Sequence, residues 1–467
     1  MNNDIGVIGL SVMGTNLALN MADNGYKVSV FNRTTSVVDE VASKYEKLTP
    51  TYSIESFVNS LKKPRAVFLM VKSGKPVDLL IEQLIEVLDE GDIIIDGGNS
   101  FYKDTIRRDK YLKEKGINFL GVGVSGGEEG ARFGPAIMPG GDESSYGRVK
   151  DIFENISAKA YGEPCCKFVS KDGSGHYLKM IHNGIEYADM QMITEIYTLL
   201  KHVGKMDNDE IQKVFEEWNK GELESYLIEI TAEILKVKTD EGVYLLDKIL
   251  DTASQKGTGK WVNMEALELG IDVSVITAAI NARFMSSIKS ERIKASNIID
   301  SNVNSVSIDK EALVELAKNS LYVAKIVAYA QGLKLMVEAS KKYDWNIDLS
   351  ELVKIFRGGC IIRARFLNDI SKAFKDSGEV DNLIMTEFFY NEINSRLKDL
   401  RKLVSASVNE GIPVTAMSAA LGYIDSYRTS DSGANLIQAQ RDYFGAHTFE
   451  MTDKEGHFHY DWTGNNE

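Results

Sequence analysis

A chain of 467 residues, 43% hydrophobic and 26% charged, is too long for one ordinary core and reads as a globular protein of two or three domains. Its formal net charge of −14 repels nucleic acid, anionic membranes and anionic small molecules, so a phosphorylated ligand would need a local group of Arg, Lys and His. No apolar run reaches the about 20 residues that span a bilayer, the start MNNDIGVIGL lacks the layout of a secretory signal, and three cysteines, two of them adjacent (Cys165, Cys166), suit neither a disulfide framework nor a CxxC site, which predicts a reducing cytoplasm.

The run IGVIGL predicts a buried strand, followed by the turn GLSVMG and a helix through TNLALNMADN that Gly25 stops. Gly9, Ser11 and Gly14 stand at the spacing of the dinucleotide fingerprint G-x-G-x-x-G, with serine in the middle place. In that motif the first glycine makes the tight turn. The second lets backbone approach a pyrophosphate, and the third lets the helix pack on the strand. Serine is small, so the approach is hindered rather than blocked. The next strand, YKVSVF, ends at Asn32-Arg33-Thr34. A site for NAD ordinarily places a carboxylate here, on the ribose 2′-hydroxyl. Arg33 instead can stack on adenine and pair with a 2′-phosphate, between two neutral hydrogen-bonding side chains, which predicts NADP over NAD.

The βα alternation continues. AVFLMV (66–71) ends at Val71-Lys72-Ser73-Gly74, before a helix near Pro76. DIIID (92–96) ends at Gly97-Gly98-Asn99-Ser100. After a helix through Lys115, NFLGVGV ends at Ser125-Gly126-Gly127-Glu128-Glu129-Gly130. Ligands of open α/β sheets bind beyond the carboxyl ends of the strands, so these turns predict one crevice. The backbone N–H groups at Ser125–Gly127 are candidates to hold a carboxylate or a hydroxyl. Lys167-Phe168-Val169 predicts a last strand, and residues 171–175 a hinge.

HYLKMIHNGIEY (176–187) then opens a long helix. Lys179, His182, Asn183, Glu186 and Tyr187 fall at i, i+3, i+4, i+7 and i+8, on one face. Such a stripe is ordinarily solvated. Beside a nucleotide crevice it becomes a base, an imidazole, an amide, an acid and a phenol. From 176 to about 430 the periodicity is helical, and a weak repeat relates 207–227 to 348–367. Ile211, Val214, Phe215, Tyr226 and Leu227 answer to Leu352, Ile355, Phe356, Phe366 and Leu367. Each segment follows a long helix (roughly 176–203 and 310–342), which predicts an all-α domain of two related halves. Residues 255–260, QKGTGK, form a basic glycine-flanked loop, and Arg283 lies on the apolar helix VSVITAAINARFMSSIK, where a charge needs a partner. Lys256 and Arg283 both suit a phosphate. The tail, 430–467, shows little periodicity, cannot build its own core and holds aromatics that predict docking. Arg441 and His447 are its cationic candidates for a ligand. His457 and His459 lack the partner spacing of a metal site, and no metal is expected.

GLSVMG, NRT, IDGGNS, VSGGEEGAR, KMIHNGIEYADMQ, QKGTGKW and QRDYFGAHTFE together resemble 6-phosphogluconate dehydrogenase, the decarboxylating enzyme of the pentose phosphate pathway and of gluconate utilization. The resemblance covers essentially the whole chain in order; Ser11, where the family often has Ala, is a mild departure. It implies a Rossmann-like NADP-binding domain (1–175), an all-helical substrate and dimerisation domain (176–430) and a tail (431–467) that threads into the partner of a cytoplasmic homodimer. It implies Lys179 as general base and Glu186 as general acid. Asn99, Ser125, Gly126, Gly127, His182 and Asn183 would hold the sugar acid, and Tyr187, Lys256 and Arg283 its phosphate, joined by Arg441 and His447 of the other subunit. Gly9, Leu10, Ser11, Val12, Met13, Gly14, Asn32, Arg33, Thr34, Val71, Lys72, Ser73 and Asn99 would contact NADP. One competing reading is a β-hydroxyacid dehydrogenase acting on a smaller acid such as 3-hydroxyisobutyrate, but those chains lack the duplicated helical half. A non-catalytic NADP-binding protein would have no use for Lys179 and Glu186.

Overall fold

Short apolar runs, buried on both sides, build the centre of a seven-stranded sheet in the computed structural model, which describes residues 3–254, 257–301, 303, 308–378 and 380–464. The strands are β1 (Ile5–Ile8), β2 (Val28–Phe31), β3 (Leu48–Pro50), β4 (Ala66–Leu69), β5 (Ile93–Asp96), β6 (Asn118–Ser125) and β7 (Ala136–Gly141). Their order is β3-β2-β1-β4-β5-β6-β7, parallel except for the antiparallel β7. Successive strand residues point to opposite faces. Thus Val7, Phe68 and Ile95 enter one apolar cluster, while Ile8, Val67 and Ile94 enter another. Helices cover both faces, so the strands read as continuous apolar runs. The chain reverses direction across the sheet between β1 and β4, which opens a crevice at their carboxyl ends.

Residues 167–169 are not a strand. The last strand of the seven-stranded sheet is β7, AIMPGG, whose proline and glycines mask it in the sequence, and the short antiparallel pair Lys159–Ala160 and Glu163–Pro164 follows it. The 165–170 segment does run beside β7: Ile137 N donates to Cys165 O (3.0 Å), Val169 N to Pro139 O (2.8 Å) and Gly141 N to Ser170 O (3.0 Å). Pro139 has no N–H to return, so the pairing stays intermittent.

The helix Ser174–His202 lies against β6 and β7, and glycines let it come close. A Cβ on Gly123 of β6 would stand 2.6 Å from Lys179 Cβ, and one on Gly175 would stand 2.3 Å from the carbonyl oxygens of Gly121 and Met138. Contacts this short displace either the helix or the strand. Gly123→Ala is therefore expected to destabilise the fold by about 1–3 kcal/mol, read as a lowered denaturant midpoint. An unchanged midpoint would show that the strand does not set the height of the helix.

Ser174–His202 packs against Lys310–Tyr343, and Lys325 pairs with Asp189 between them at 2.5 Å, both side chains almost fully buried. The two segments of the predicted repeat each begin at an aspartate cap, although the first is an 11-residue helix and the second a short helix followed by a 3-10 turn. Asp207 caps Asn208–Trp218 and Asp348 caps Leu349–Leu352. The two segments then meet, with Ser225 bridging to Ala364, Tyr226 N donating to Arg363 O (2.9 Å) and Arg365 N to Glu224 O (2.9 Å).

Residues 1–420 form one compact unit and 421–467 a second. The second is not the unpatterned segment its sequence suggests. It contains the helix Ala434–Gly445, and beyond it Asp442, fully buried, accepts from Thr448 N (3.0 Å), Tyr460 N (3.1 Å) and Trp462 Nε1 (2.8 Å) and pairs with His459 Nδ1 (2.9 Å). The periodicity is hard to read because Leu436, Ile437, Tyr443 and Phe444 are all exposed rather than gathered on a buried stripe. Among the described residues no helix is long and apolar enough to cross a membrane, and no three His, Cys, Asp or Glu are grouped to hold a metal ion.

Candidate active site

The turn after β1 is shaped by what surrounds it. Gly9 has φ +100° and its Cβ would stand 2.5 Å from Met70 O, while a Cβ on Gly14 would stand 1.9 Å from Gly9 O. Both positions therefore require glycine. Ser11 is different. It is exposed, extended (φ −73°, ψ 177°) and precedes the helix Val12–Asp23, a conformation any residue adopts. Serine in the middle place thus leaves the turn intact. Asn32 secures it, accepting from Leu10 N (3.2 Å) and donating to Thr34 O (3.1 Å). Arg33 and Thr34 are exposed, Val12 is exposed and Met13 half-buried. Among the described residues none forms an ion pair with Arg33, and no carboxylate stands at 32–34. This cradle fits a dinucleotide carrying an extra phosphate on its ribose.

The neighbouring strand ends adjoin it. A Cβ on Gly98 would lie 3.0 Å from Val71 O, so the turns 71–74 and 97–100 touch. Val71 and Ser73 are half-buried, and Lys72 and Asn99 exposed. Asp96, which the sequence reading did not single out, holds the second turn by accepting from Gly98 N (3.1 Å) and Ser100 Oγ (2.6 Å). A buried carboxylate at the end of an apolar strand was the signal that could have found it. After β6, Gly126 (φ +117°) and Gly127 (φ +63°) turn the chain into the helix Gly127–Phe133, and the Gly126 Cβ position lies 2.6 Å from Gly359 O.

Ser125, at the end of β6, meets the predicted helix face. Its Oγ lies 3.1 Å from His182 Nε2, while His182 Nδ1 lies 3.1 Å from Asn183 Oδ1, 3.5 Å from Lys179 Nζ and 3.7 Å from Glu186 Oε2. A neutral imidazole with its proton on Nδ1 donates to Asn183 and accepts from Ser125. Burial, and next the neighbouring Lys179, hold His182 well below the usual histidine range, so the neutral form prevails. Burial also lowers Lys179, against the opposing pull of Glu186, and raises Glu186, against Lys179 and Arg283. A lysine pushed toward neutrality and a carboxyl pushed toward protonation are a base and an acid in waiting.

One turn on, Arg283 stacks on Tyr187 with its guanidinium carbon 3.6 Å from the ring centroid. It donates to Ser254 O (3.3 Å) and reaches Met190 Sδ (3.5 Å), but no carboxylate among the described residues lies within ion-pair distance. Half-buried, it is not the structural ion pair that a charge on an apolar helix ordinarily makes, and its guanidinium is placed to meet an anion. A Cβ on Gly259 would stand 3.2 Å from the Tyr187 ring, which brings the 257–259 turn to the same place. The predicted 255–260 loop becomes helix from Thr258. Lys256 lies outside the described residues. Arg441, bonded to Gln438 Oε1 (2.9 Å), and His447, stacked edge-on against Phe444, are exposed members of the second unit.

A nucleotide cradle at the strand ends, beside a buried lysine and imidazole and a half-buried carboxyl, defines a dehydrogenase acting on a hydroxy acid. The family models that match say which kind: "NAD binding domain of 6-phosphogluconate dehydrogenase" over residues 4–169 and "6-phosphogluconate dehydrogenase, C-terminal domain" over 175–462. The NADP(+)-dependent decarboxylating 6-phosphogluconate dehydrogenase of Bacillus subtilis (strain 168) is 53% identical over 98% of both chains. The NAD(+)-dependent decarboxylating enzyme of the same organism is 50% identical over 99% of this chain and all of its own. The solved structure of Plasmodium falciparum 6-phosphogluconate dehydrogenase, described in apo form and with NADP+ and 6-phosphogluconate, superposes with a TM-score of 0.95 at 44% identity, over 98% of this chain and 100% of that one. The chain belongs to the 6-phosphogluconate dehydrogenase family of decarboxylating oxidoreductases.

Proposed function

We propose that the chain oxidatively decarboxylates 6-phospho-D-gluconate to D-ribulose 5-phosphate and CO2 while reducing NADP to NADPH. The observation that carries this reading is the cluster of buried Lys179, His182 and Asn183 with half-buried Glu186 against Ser125 at the carboxyl end of β6. NADP, held by residues 9–14, Asn32, Arg33, Thr34, the 71–73 turn and Asn99, supplies the hydride acceptor when bound. Neutral Lys179 takes the proton of the C3 hydroxyl as C3 loses hydride. The resulting 3-keto acid loses CO2 because the electrons of the breaking bond flow into the ketone, which Lys179, now an ammonium, protonates. Glu186 then gives a proton to C1 of the enediol while Lys179, neutral again, takes the proton of the C2 hydroxyl, which becomes the ketone; His182 is near enough to Glu186 (3.7 Å) to relay a proton. Ser125, Gly126, Gly127, Asn99, His182 and Asn183 orient the carboxylate and hydroxyls. Tyr187, Arg283 and Lys256 receive the phosphate, which answers the problem set by a −14 chain.

The same reading assigns 1–175 to the cofactor, 176–430 to substrate and dimerisation, and 431–467 to a tail exchanged between the subunits of a homodimer, bringing Arg441 and His447 to the partner's phosphate site. Exposed apolar side chains support association: Leu267, Ile298 and Ile299 in the first unit, Leu436, Ile437 and Phe444 in the second. Three buried, unpaired cysteines suit a cytoplasmic home. The test is the rise in absorbance at 340 nm with 6-phosphogluconate and NADP. No rise would overturn the assignment.

The two perturbed groups also predict the pH profile. Lys179 must be deprotonated, so its lowered pKa sets the acid limb; Glu186 must be protonated, so its raised pKa sets the alkaline limb. Glu186→Gln is expected to slow turnover by about 10²–10⁴-fold, keep the acid limb and lose the alkaline one. A wild-type bell in that variant would remove Glu186 from the acid role.

A further inference from the structure

The turns after β4 and β5 are tied together from beneath by one side chain. Arg108, on the helix Tyr102–Lys113, is 1% exposed. Its Nη2 donates to Gly74 O (3.0 Å) and its Nε to Asp78 Oδ1 (2.8 Å), while Nη1 lies 3.4 Å from both Asp96 Oδ2 and Ser100 Oγ. Asp96 itself holds Gly98 N and Ser100 Oγ. One guanidinium therefore spans the turn that ends at Gly74 and the turn that carries Asn99. A rigid planar fork with five donors can hold both turns in one geometry; a lysine, as a point charge on a flexible stem, cannot. The same helix reaches the catalytic one, with Thr105 Oγ1 2.7 Å from His176 Nδ1, and His176 sits one turn before Lys179.

From this junction we infer that Arg108 is a positioning residue for the hydride transfer, fixing the Lys72–Ser73 turn and Asn99 relative to each other and to Lys179. The inference rests on the reading that the first turn holds cofactor and that Asn99 faces both cofactor and substrate. Arg108 touches neither ligand in this account. It acts through backbone that does, so loosening it lengthens the path of the hydride without removing any reacting group. Misplacements on the order of 1 Å cost about a hundredfold in rate.

The test compares wild type, Arg108→Lys and Arg108→Met, with 6-phosphogluconate bearing hydrogen or deuterium at C3. Both variants are expected to show KM for NADP raised about tenfold, a lower kcat and a larger deuterium isotope effect, because hydride transfer becomes the slow step. A residue that only stabilises the fold would reduce the active fraction and leave KM and the isotope effect where they were, and that outcome overturns the inference. Full rescue by Arg108→Lys would overturn it too, since charge alone would then suffice. Asp78→Asn is the gentler variant should Arg108→Met fail to fold. The change weakens the hold on Nε while Asp96 still pairs with the buried guanidinium, and the same signature at smaller size is expected. Wild type without activity in this assay would overturn the functional reading itself, whereas active wild type with wild-type-like variants overturns only the role of Arg108.

Discussion

Lys179→Met is expected to abolish turnover, by about 10²–10⁴-fold or more, while NADP still binds. Methionine keeps the length and packing of the side chain and removes the amine proposed to take the C3 hydroxyl proton. A lysine at its ordinary pKa of about 10.4 is protonated near neutrality and cannot serve as a base. Burial moves Lys179 down, and only 8% of the residue is exposed. The sign for stability follows. The pKa is lower in the folded chain than in the unfolded one, so between the two values the unfolded chain binds more protons and stability rises with pH. Below the folded value the charged lysine must be buried or the fold must loosen. Methionine carries no such penalty, so the variant is expected to unfold at or above the wild-type temperature, and most clearly above it at low pH. Inactivity with unimpaired or raised stability separates loss of the base from loss of the fold. Absorbance at 340 nm, a fluorescence titration with NADPH and thermal unfolding at two pH values measure all three. Wild-type-like turnover would remove Lys179 from the mechanism.

How much of this was legible in the sequence depended on whether the signal was local. The fingerprint turn was, because Gly9 and Gly14 answer to contacts within one βα unit, although only the structure shows that Ser11 sits in an unstrained, exposed place. The face of Lys179, His182, Asn183, Glu186 and Tyr187 was, because helical spacing alone assembles it. That the face is buried was not. It depends on glycines of β6 and β7 admitting the helix, a contact between segments far apart along the chain. β7 was missed because Pro139, Gly140 and Gly141 are turn residues by composition and become strand only through pairing with β6. The false strand at 167–169 is the converse, a β-prone run whose neighbour includes a proline that cannot complete the ladder. The Arg108 and Asp96 junction was invisible because its members come from two successive βα units and match no motif.

Arg33→Asp is expected to reverse cofactor preference, weakening NADP by about 10²-fold and improving NAD. A charge-assisted hydrogen bond contributes about 1.5–3 kcal/mol, where 1.4 kcal/mol is tenfold. Placing a carboxylate at the same strand end adds repulsion against a 2′-phosphate and offers an acceptor to a 2′-hydroxyl. The fold should be indifferent, because Arg33 is exposed and forms no ion pair among the described residues, and surface changes of this kind stay within about 0.5 kcal/mol. The end of β2 is where the two cofactors differ chemically. Asn32 and Thr34 remain in the variant to hold the turn, since Asn32 bonds Leu10 N and Thr34 O by atoms that Arg33 does not share. The measurement is kcat/KM for each cofactor in wild type and variant. Unchanged NADP affinity in Arg33→Asp would refute the 2′-phosphate role and move the preference to Lys72 or to the turn after β1.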